Sequence, residues 1–353
     1  MQVNHSNQAA FGLLLMAVCL LFSAPELKAQ LSYKAERQRD KVLNEGIAHV
    51  LGQEFEDAVI MFNLCLDIDP DCARAYLERG RVFLEWGALK DAVKDMDRAI
   101  ALDPKMGEAF FYKGYALFGR DSTGLDKRLF EQALEQGYEE PWAYYYLGLV
   151  NIRDEDYGEA LRHFNSAISL KEDFALAYHE RAGVKRTAGD LQGALNDYRI
   201  AIGYRPGFAL AFNNLGSVKI MLGDYDGAIA DYSSAIALDS SMVLALNNRG
   251  YARYYLGDLE GALADFETAI ASTYPYMDAL SNKAVVLAGQ QQLAPAMSIL
   301  DEAIGRFPNE AVLYLNRGLV HELLGNLEAA CSDWKMAEKL GAAEAGTYLT
   351  ECR

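Results

Sequence analysis

Apolar and polar positions along this chain recur every 34 residues from Arg39, nine times over, without insertion or deletion. Within one period, Ala211 to Leu222 and Tyr225 to Leu238 each carry apolar residues at helical spacing. Phe212, Leu215, Val218 and Leu222 mark the first stretch; Ile229, Tyr232 and Ile236 mark the second. Gly223-Asp224 between them is a helix stop followed by a helix start. Every period therefore predicts two antiparallel helices joined by a tight turn, and the fold class is all-α.

Small residues hold the phase. Numbering each period from 1, position 8 is glycine or alanine throughout, from Gly46 to Gly318. Position 20 is alanine except for Asp126, and position 27 is alanine except for Cys65. Small side chains at positions 8 and 20 are expected to meet where the two helices cross, bringing the axes to the short end of the roughly 8–10 Å packing range. Position 24 is bulky (Phe62, Met96, Phe130, Phe164, Tyr198, Tyr232, Phe266, Leu300, Trp334) and is expected to fill the space between neighbouring periods. Proline at position 32 (Pro70, Pro104, Pro206, Pro308) ends the second helix, because it lacks an amide donor.

This pattern resembles the tetratricopeptide repeat (TPR) family, whose 34-residue motif runs W-x2-L-G-x2-Y, then A, F and P. The resemblance covers residues 39–344. It implies an α-solenoid, a right-handed superhelix of nine antiparallel helix pairs, with first helices lining a concave wall. Two departures stand out. In the third period Asp126 replaces the packing alanine and the turn reads Gly119-Arg120-Asp121-Ser122-Thr123-Gly124, so local distortion is expected there. The tyrosine of position 11 gives way to Asn151, Lys185, Lys219 and Arg253. Past the last period, Ala345, Tyr348 and Leu349 stand at helical spacing, and residues 345–353 are assigned to a C-terminal capping helix.

The N-terminal 29 residues read differently. Phe11 to Ser23 is an apolar run of 13 residues, short for a bilayer span and the right length for a signal-peptide core. Leu27-Lys28-Ala29 offers a cleavage site before Gln30, although no Lys or Arg precedes the run. A retained anchor is the other reading, and Val18 argues against lipidation at Cys19. With residues 1–29 as signal peptide and 30–344 as the array, the mature protein is expected outside the cytoplasm: periplasmic, outer-membrane-associated or secreted. No second apolar stretch is long enough to cross a membrane after cleavage.

The formal net charge of −17 makes the chain a poor partner for nucleic acid, whose affinity rests on phosphate neutralisation. Acids such as Asp231 and Glu267 are read as a solvated outer face. Four cysteines remain after cleavage. Cys331 lies ten residues before Gly341 and Cys352 eleven after it, so a helical hairpin turning there would set them opposite each other for a disulfide. Cys65 and Cys72 straddle a helix end, where a bridge or two thiols would fit.

Catalytic signatures are missing. There is no Gly-rich phosphate loop, G-x-S-x-G or paired C-x-x-C. His179-Glu180 and His321-Glu322 begin like a zinc-protease motif, but Gly183 and Gly325 stand where the second histidine belongs. Neither enzyme activity, metal nor cofactor is expected.

What remains is the groove. The resemblance turns positions 2, 5, 6, 9, 12 and 13 toward it. They hold one aromatic zone of Phe111, Tyr115, Phe118, Trp142 and Tyr145, and a second of Tyr251, Tyr254 and Tyr255. Aromatics that packing does not need are candidate anchors; the alternative is that the first zone covers the defect of the third period. Position 6 gives a row of Asn214, Asn248, Asn282 and Asn316, whose amides offer donors and acceptors to the backbone of an extended peptide. Position 5 carries no lysine, which argues against a receptor for chaperone C-terminal tails. The expected function is an exported, non-enzymatic scaffold holding a peptide segment or partner protein, cell-envelope proteins among them. The alternative is a glycan or other non-protein ligand stacked on the same aromatics.

Overall fold

A computed structural model of the protein describes residues 24–120, 124–272, 276–350 and 352. The apolar run 11–23 lies outside these residues, and the expected cleavage site at 27–29 falls within the first described helix. All regular secondary structure among them is helical, and each 34-residue period contributes two helices. The first helix, Ala24–Leu51, begins well before Arg39. No helix among the described residues is long and apolar enough to cross a membrane. The chain forms two compact segments, Met1–Val150 and Asn151–Arg353.

The turn inside eight of the nine repeats has a fixed chemistry. Position 15 takes left-handed backbone, filled by Gly87, Gly189, Gly223, Gly257 and Gly325 with φ between 70° and 83°. Gln53, Glu155 and Gln291 adopt the same conformation near φ 60° without glycine's freedom. The next residue starts the second helix. Asp156, Asp190, Asp224, Asp258 and Asn326 each accept a hydrogen bond from the amide three residues on, at 2.9–3.2 Å.

Packing inside the repeat departs from the expected crossing in one respect. The alanines of position 20 are fully buried, as are all nine residues of position 27. The position 24 side chain, besides packing between repeats as expected, lies over position 8 of its own repeat. A Cβ added to Gly250 would stand 2.6 Å from the Phe266 ring, one on Gly216 2.8 Å from Tyr232, and one on Gly46 2.6 Å from Phe62. Glycine at position 8 thus makes room for a ring.

Buried charge supplies a second tie, and it corrects the reading of Asp231. Position 23 is aspartate in five repeats, and Asp95, Asp197, Asp231, Asp265 and Asp333 are all buried. In four of them an arginine at position 7 grips the carboxylate with two nitrogens: Arg79–Asp95, Arg181–Asp197, Arg249–Asp265 and Arg317–Asp333, at 2.6–2.9 Å. Position 11 adds a second cation, with Lys185–Asp197 at 2.8 Å, Lys219–Asp231 at 2.6 Å and Arg253–Asp265 at 2.8 Å. In these three repeats a cation for the buried acid takes the place of the tyrosine; in the fourth, Asn151 instead lies 2.9 Å from His163. Asp231 has Leu215 at position 7 and Lys219 as its only close cation; burial raises its carboxyl above the ordinary range. Glu267, by contrast, is exposed and pairs with Lys283 at 2.9 Å.

The third repeat is distorted as its sequence predicts. Its helices, Gly107–Leu117 and Leu125–Glu135, have 11 residues each, against 13 and 14 in the sixth. Asp126 is buried and accepts from the Lys127 amide at 2.8 Å. At the far end, the helix Ala345–Leu349 covers the last repeat. Tyr348 stacks on the buried Trp334 with centroids 5.1 Å apart, and Cys331 and Cys352 meet with Cα atoms 5.7 Å apart. Cys65 and Cys72 are buried thiols in one apolar cluster with Val42 and Ala75.

Candidate functional site

In the segment Asn151–Arg353 the asparagine row is real but already partly engaged. Each amide reaches back one repeat to position 5. Asn316 Nδ2 donates to Ser281 Oγ at 2.8 Å, Asn282 to Asn247 Oδ1 at 2.9 Å, and Asn248 to Asn213 Oδ1 at 3.2 Å. Asn214 Nδ2 lies 3.0 Å from His179 Nε2, and His179 Nδ1 lies 3.2 Å from a Glu180 carboxylate oxygen. All four position 5 partners are buried, where an unpaired polar group would be costly. The row therefore ties repeats together first. One N–H of each amide is committed; Oδ1 of Asn248, Asn282 and Asn316 makes no other hydrogen bond among the described residues.

Beside this row lie three clefts related by the 34-residue period. The first, of 240 Å³, is lined by Ser217, Ile220, Tyr232, Asn247, Asn248 and Tyr251. The second, of 220 Å³, is lined by Tyr251, Tyr254, Tyr255, Phe266, Asn282, Val285 and Val286. The third, of 300 Å³, shares Tyr254 and Val285 and adds Asn316 and Leu323. Tyr255 is 52% exposed and stacks on Tyr225, with centroids 5.2 Å apart and planes 4° apart. A hydrogen bond with Tyr255 pushes the Tyr251 phenol up to about 12. Tyr254 is half-buried against the core of the seventh and eighth repeats. Apolar floors with a few amide and phenol groups on the rim suit short side chains flanking a polar backbone.

In the segment Met1–Val150 the aromatic zone needs correction. Phe111 and Tyr145 are 5% and 7% exposed, so neither offers a face to a ligand. Phe111 packs against Phe130, Tyr138 and Tyr146 at 5.8, 5.1 and 6.1 Å. Phe118 packs edge-on against Tyr146 at 5.1 Å. Only Tyr115 and Trp142 are exposed, 43% and 38%. The hub is Tyr146, at position 6 and not selected from the sequence. It stacks on Phe130 at 5.5 Å and touches Tyr115, Phe118 and Trp142 within 6.1 Å. Its phenol stands above the ordinary range through burial, then through Tyr115. These rings fill the space that the shortened third repeat leaves open.

Among the described residues one histidine–carboxylate group occurs, His49, Glu54 and Asp57 at the first turn; its acids are exposed and Glu54 already holds His49 Nδ1 at 2.6 Å.

Family models fit this chain along most of the array. The model described as "TPR repeat" matches residues 219–257, and that described as "Tetratricopeptide repeat" matches 53–107, 127–173 and 247–311. Together they cover more than half of the sequence. The chain belongs to the tetratricopeptide repeat family. TPR relatives are similar over shorter stretches. A Protein SGT1 homolog of Oryza sativa subsp. japonica is 31% identical over 91 residues, 26% of this chain and 24% of that protein. The mitochondrial import receptor subunit TOM70 of Homo sapiens is 34% identical over 79 residues, 22% of this chain and 13% of that protein. The match thus spans a quarter or less of these relatives' length. Among solved structures, a tetratricopeptide repeat protein from Parabacteroides merdae ATCC 43184 superposes with a TM-score of 0.50 at 20% identity, over 79% of this chain and 97% of that one. Within the TPR frame the structure brings Tyr251, Tyr254, Tyr255, Asn248, Asn282 and Asn316 to one row of clefts, with Asn214 at its N-terminal end. The position 5 partners His179, Asn213, Asn247 and Ser281 were missed, though their polarity in an otherwise apolar column was a signal.

Proposed function

We propose that this TPR chain is an exported, non-enzymatic scaffold that holds a peptide segment or partner protein along the first helices of its sixth to ninth repeats. The observation that carries this reading is the row of three clefts at one-period spacing, each with a ring and an amide at its rim. A ligand with matching short-range periodicity is a chain, and an extended peptide is the commonest such chain. The family and the human relative, by name an import receptor subunit, support protein recognition. Export rests on the apolar run 11–23; the meeting of Cys331 and Cys352 fits an oxidising compartment. N-terminal mass determination starting at Gln30, and protection of both cysteines from alkylation until reduction, are the expected results.

The binding test compares faces. Tyr251→Ala with Tyr255→Ala should weaken capture of decapeptides from a random library about 30-fold, at about 2 kcal/mol for a lost anchor, without unfolding the array. Glu267→Lys on the outer face should leave capture unchanged. The opposite pattern would place binding on the outer wall. A second reading, a glycan stacked on exposed rings, is favoured by Tyr115 and Trp142 in the other segment. Sugar competition that is lost in Trp142→Ala would support it.

A further inference from the structure

Positions 27 and 34 of one repeat recur as packing partners. Ala99 and Met106 share one apolar cluster, Ala235 and Met242 another, and Ala269 and Tyr276 a third. In the last eight repeats position 27 is always alanine and position 34 is never cysteine. Only the first repeat changes both at once, to Cys65 and Cys72, and these again share a cluster. Packing alone asks for a small residue against a larger apolar one. It gives no reason for cysteine at both ends of a single contact. Joining the two sulfurs does.

The local backbone keeps the pair together. Cys65 lies in the helix Phe55–Ile68, and Cys72 is the N-cap of the helix Ala73–Glu85. Between them the Asp69 amide donates to the Cys65 carbonyl at 2.9 Å, and the Cys72 amide donates to the Asp69 carbonyl at 3.2 Å, so the link doubles back. Cys65 is fully buried and Cys72 is 9% exposed, so a reagent reaches Cys72 first. Burial, then Cys72, pushes the Cys65 thiol up to about 12, which keeps it protonated and makes it a poor first attacker. The charge of Arg39, which pairs with Asp69 at 2.9 Å, reaches both sulfurs. Among the described residues no third histidine, cysteine or carboxylate gathers with the two within ligating range, which sets oxidation ahead of metal binding.

We infer that Cys65 and Cys72 are a second disulfide-forming pair, closed by exchange with a disulfide-bearing oxidant that enters at Cys72. Cys72 loses its proton, and its thiolate attacks the oxidant's disulfide, forming a mixed disulfide and expelling one thiolate. Cys65 then loses its proton and attacks the Cys72 sulfur, and the other half of the oxidant leaves as the second thiolate. The two protons end on the two expelled thiolates, so the pair is oxidised and the oxidant is reduced to two thiols. The bridge ties the second helix of the first repeat to the first helix of the second, as Cys331 and Cys352 tie the last repeat to its cap. This chemistry belongs to the pair and holds whether or not the groove binds a peptide.

The test takes the wild-type full chain through glutathione buffers stepped from reduced to oxidised. Each sample is quenched with a thiol alkylator and cleaved at Asp67, Asp69 and Asp71, which separates the two cysteines for mass mapping. In oxidised buffer a glutathione adduct on Cys72 should appear first and give way to a Cys65–Cys72 cross-link. Returning the chain to reduced buffer should restore both thiols. Cys65→Ser removes the resolving sulfur and should prolong the Cys72 adduct about tenfold or more. Cys72→Ser should leave Cys65 unmodified over the same interval. Two alkylated thiols in the oxidised wild-type chain overturn the inference. So does an adduct that forms first on Cys65, or one on Cys72 that never resolves. Those three outcomes are read on the wild-type chain, so none waits on a variant folding.

Discussion

Repeats three and four and repeats six to nine put position 6 of the same 34-residue period to opposite uses. In the first region it holds Tyr112 and Tyr146, and Tyr146 gathers five or more rings about itself within 6.1 Å. In the second it holds asparagine, and each amide reaches one partner in the preceding repeat. A ring stabilises by area and tolerates small shifts in register. An amide needs its acceptor at one place, so it works only where the period is unbroken. The aromatic cluster accordingly sits beside the shortened third repeat, and the amide row runs where every first helix keeps its 13 residues.

The largest test of this contrast is Tyr146→Ala. Removing this half-buried hub should destabilise the N-terminal segment by about 3 kcal/mol, the low end for buried aromatic truncations, seen as early loss of amide protection in that segment. Asn248→Ala should cost about 1 kcal/mol and be confined to the other segment. If Asn248→Ala proves the more damaging, the amide row rather than the rings dominates.

A sharper comparison lies among the buried acids. Asp197→Asn strands Arg181 and Lys185 and should cost about 3 kcal/mol or more in urea unfolding at pH 7. Asp231→Asn should cost less, because Asp231 has one close cation and its carboxyl is raised by burial. The sign follows from that direction. A raised carboxyl favours folding most below the ordinary carboxylate range and loses that advantage as pH climbs through its folded value. Asp231→Asn should therefore gain on the wild type as pH rises through and above the ordinary carboxylate range. A gap that widens against the variant over the same range would show that Lys219 outweighs burial.

The smallest effect concerns the turns. Gln291 holds left-handed backbone that five other repeats assign to glycine. Gln291→Gly should raise stability by up to about 1 kcal/mol, measured as a small rise in Tm.

The repeat register, both helices of each period and the irregular third repeat were legible in the sequence, because small residues at fixed spacing report helix packing directly. The cap was legible from Ala345 and Tyr348 for the same reason. Asp231 was not: counting acids suggests solvent, and only its place in the position 23 column, whose other aspartates pair with arginines 16 residues before them, shows that the carboxylate turns inward. Phe111 and Tyr145 misled because position 5 was taken to face the groove, whereas it is buried in seven repeats, from Leu77 to Ser281. The double use of the asparagines was hidden for another reason. Their acceptors lie 35 residues away, one more than the period, so no single repeat displays the bond.

That offset gives the array a direction of growth. Every amide in the row is a head that seeks a tail in the repeat before it, so a copied seventh repeat inserted after itself would find its acceptor in Asn247 and offer its own Asn to the repeat that follows. The ninth repeat cannot be extended this way, for Leu315 stands where the next acceptor should be and the Tyr348 cap closes the stack. Lengthening by duplication is thus open in the interior and closed at the end, a polarity written into two adjacent columns of side chains.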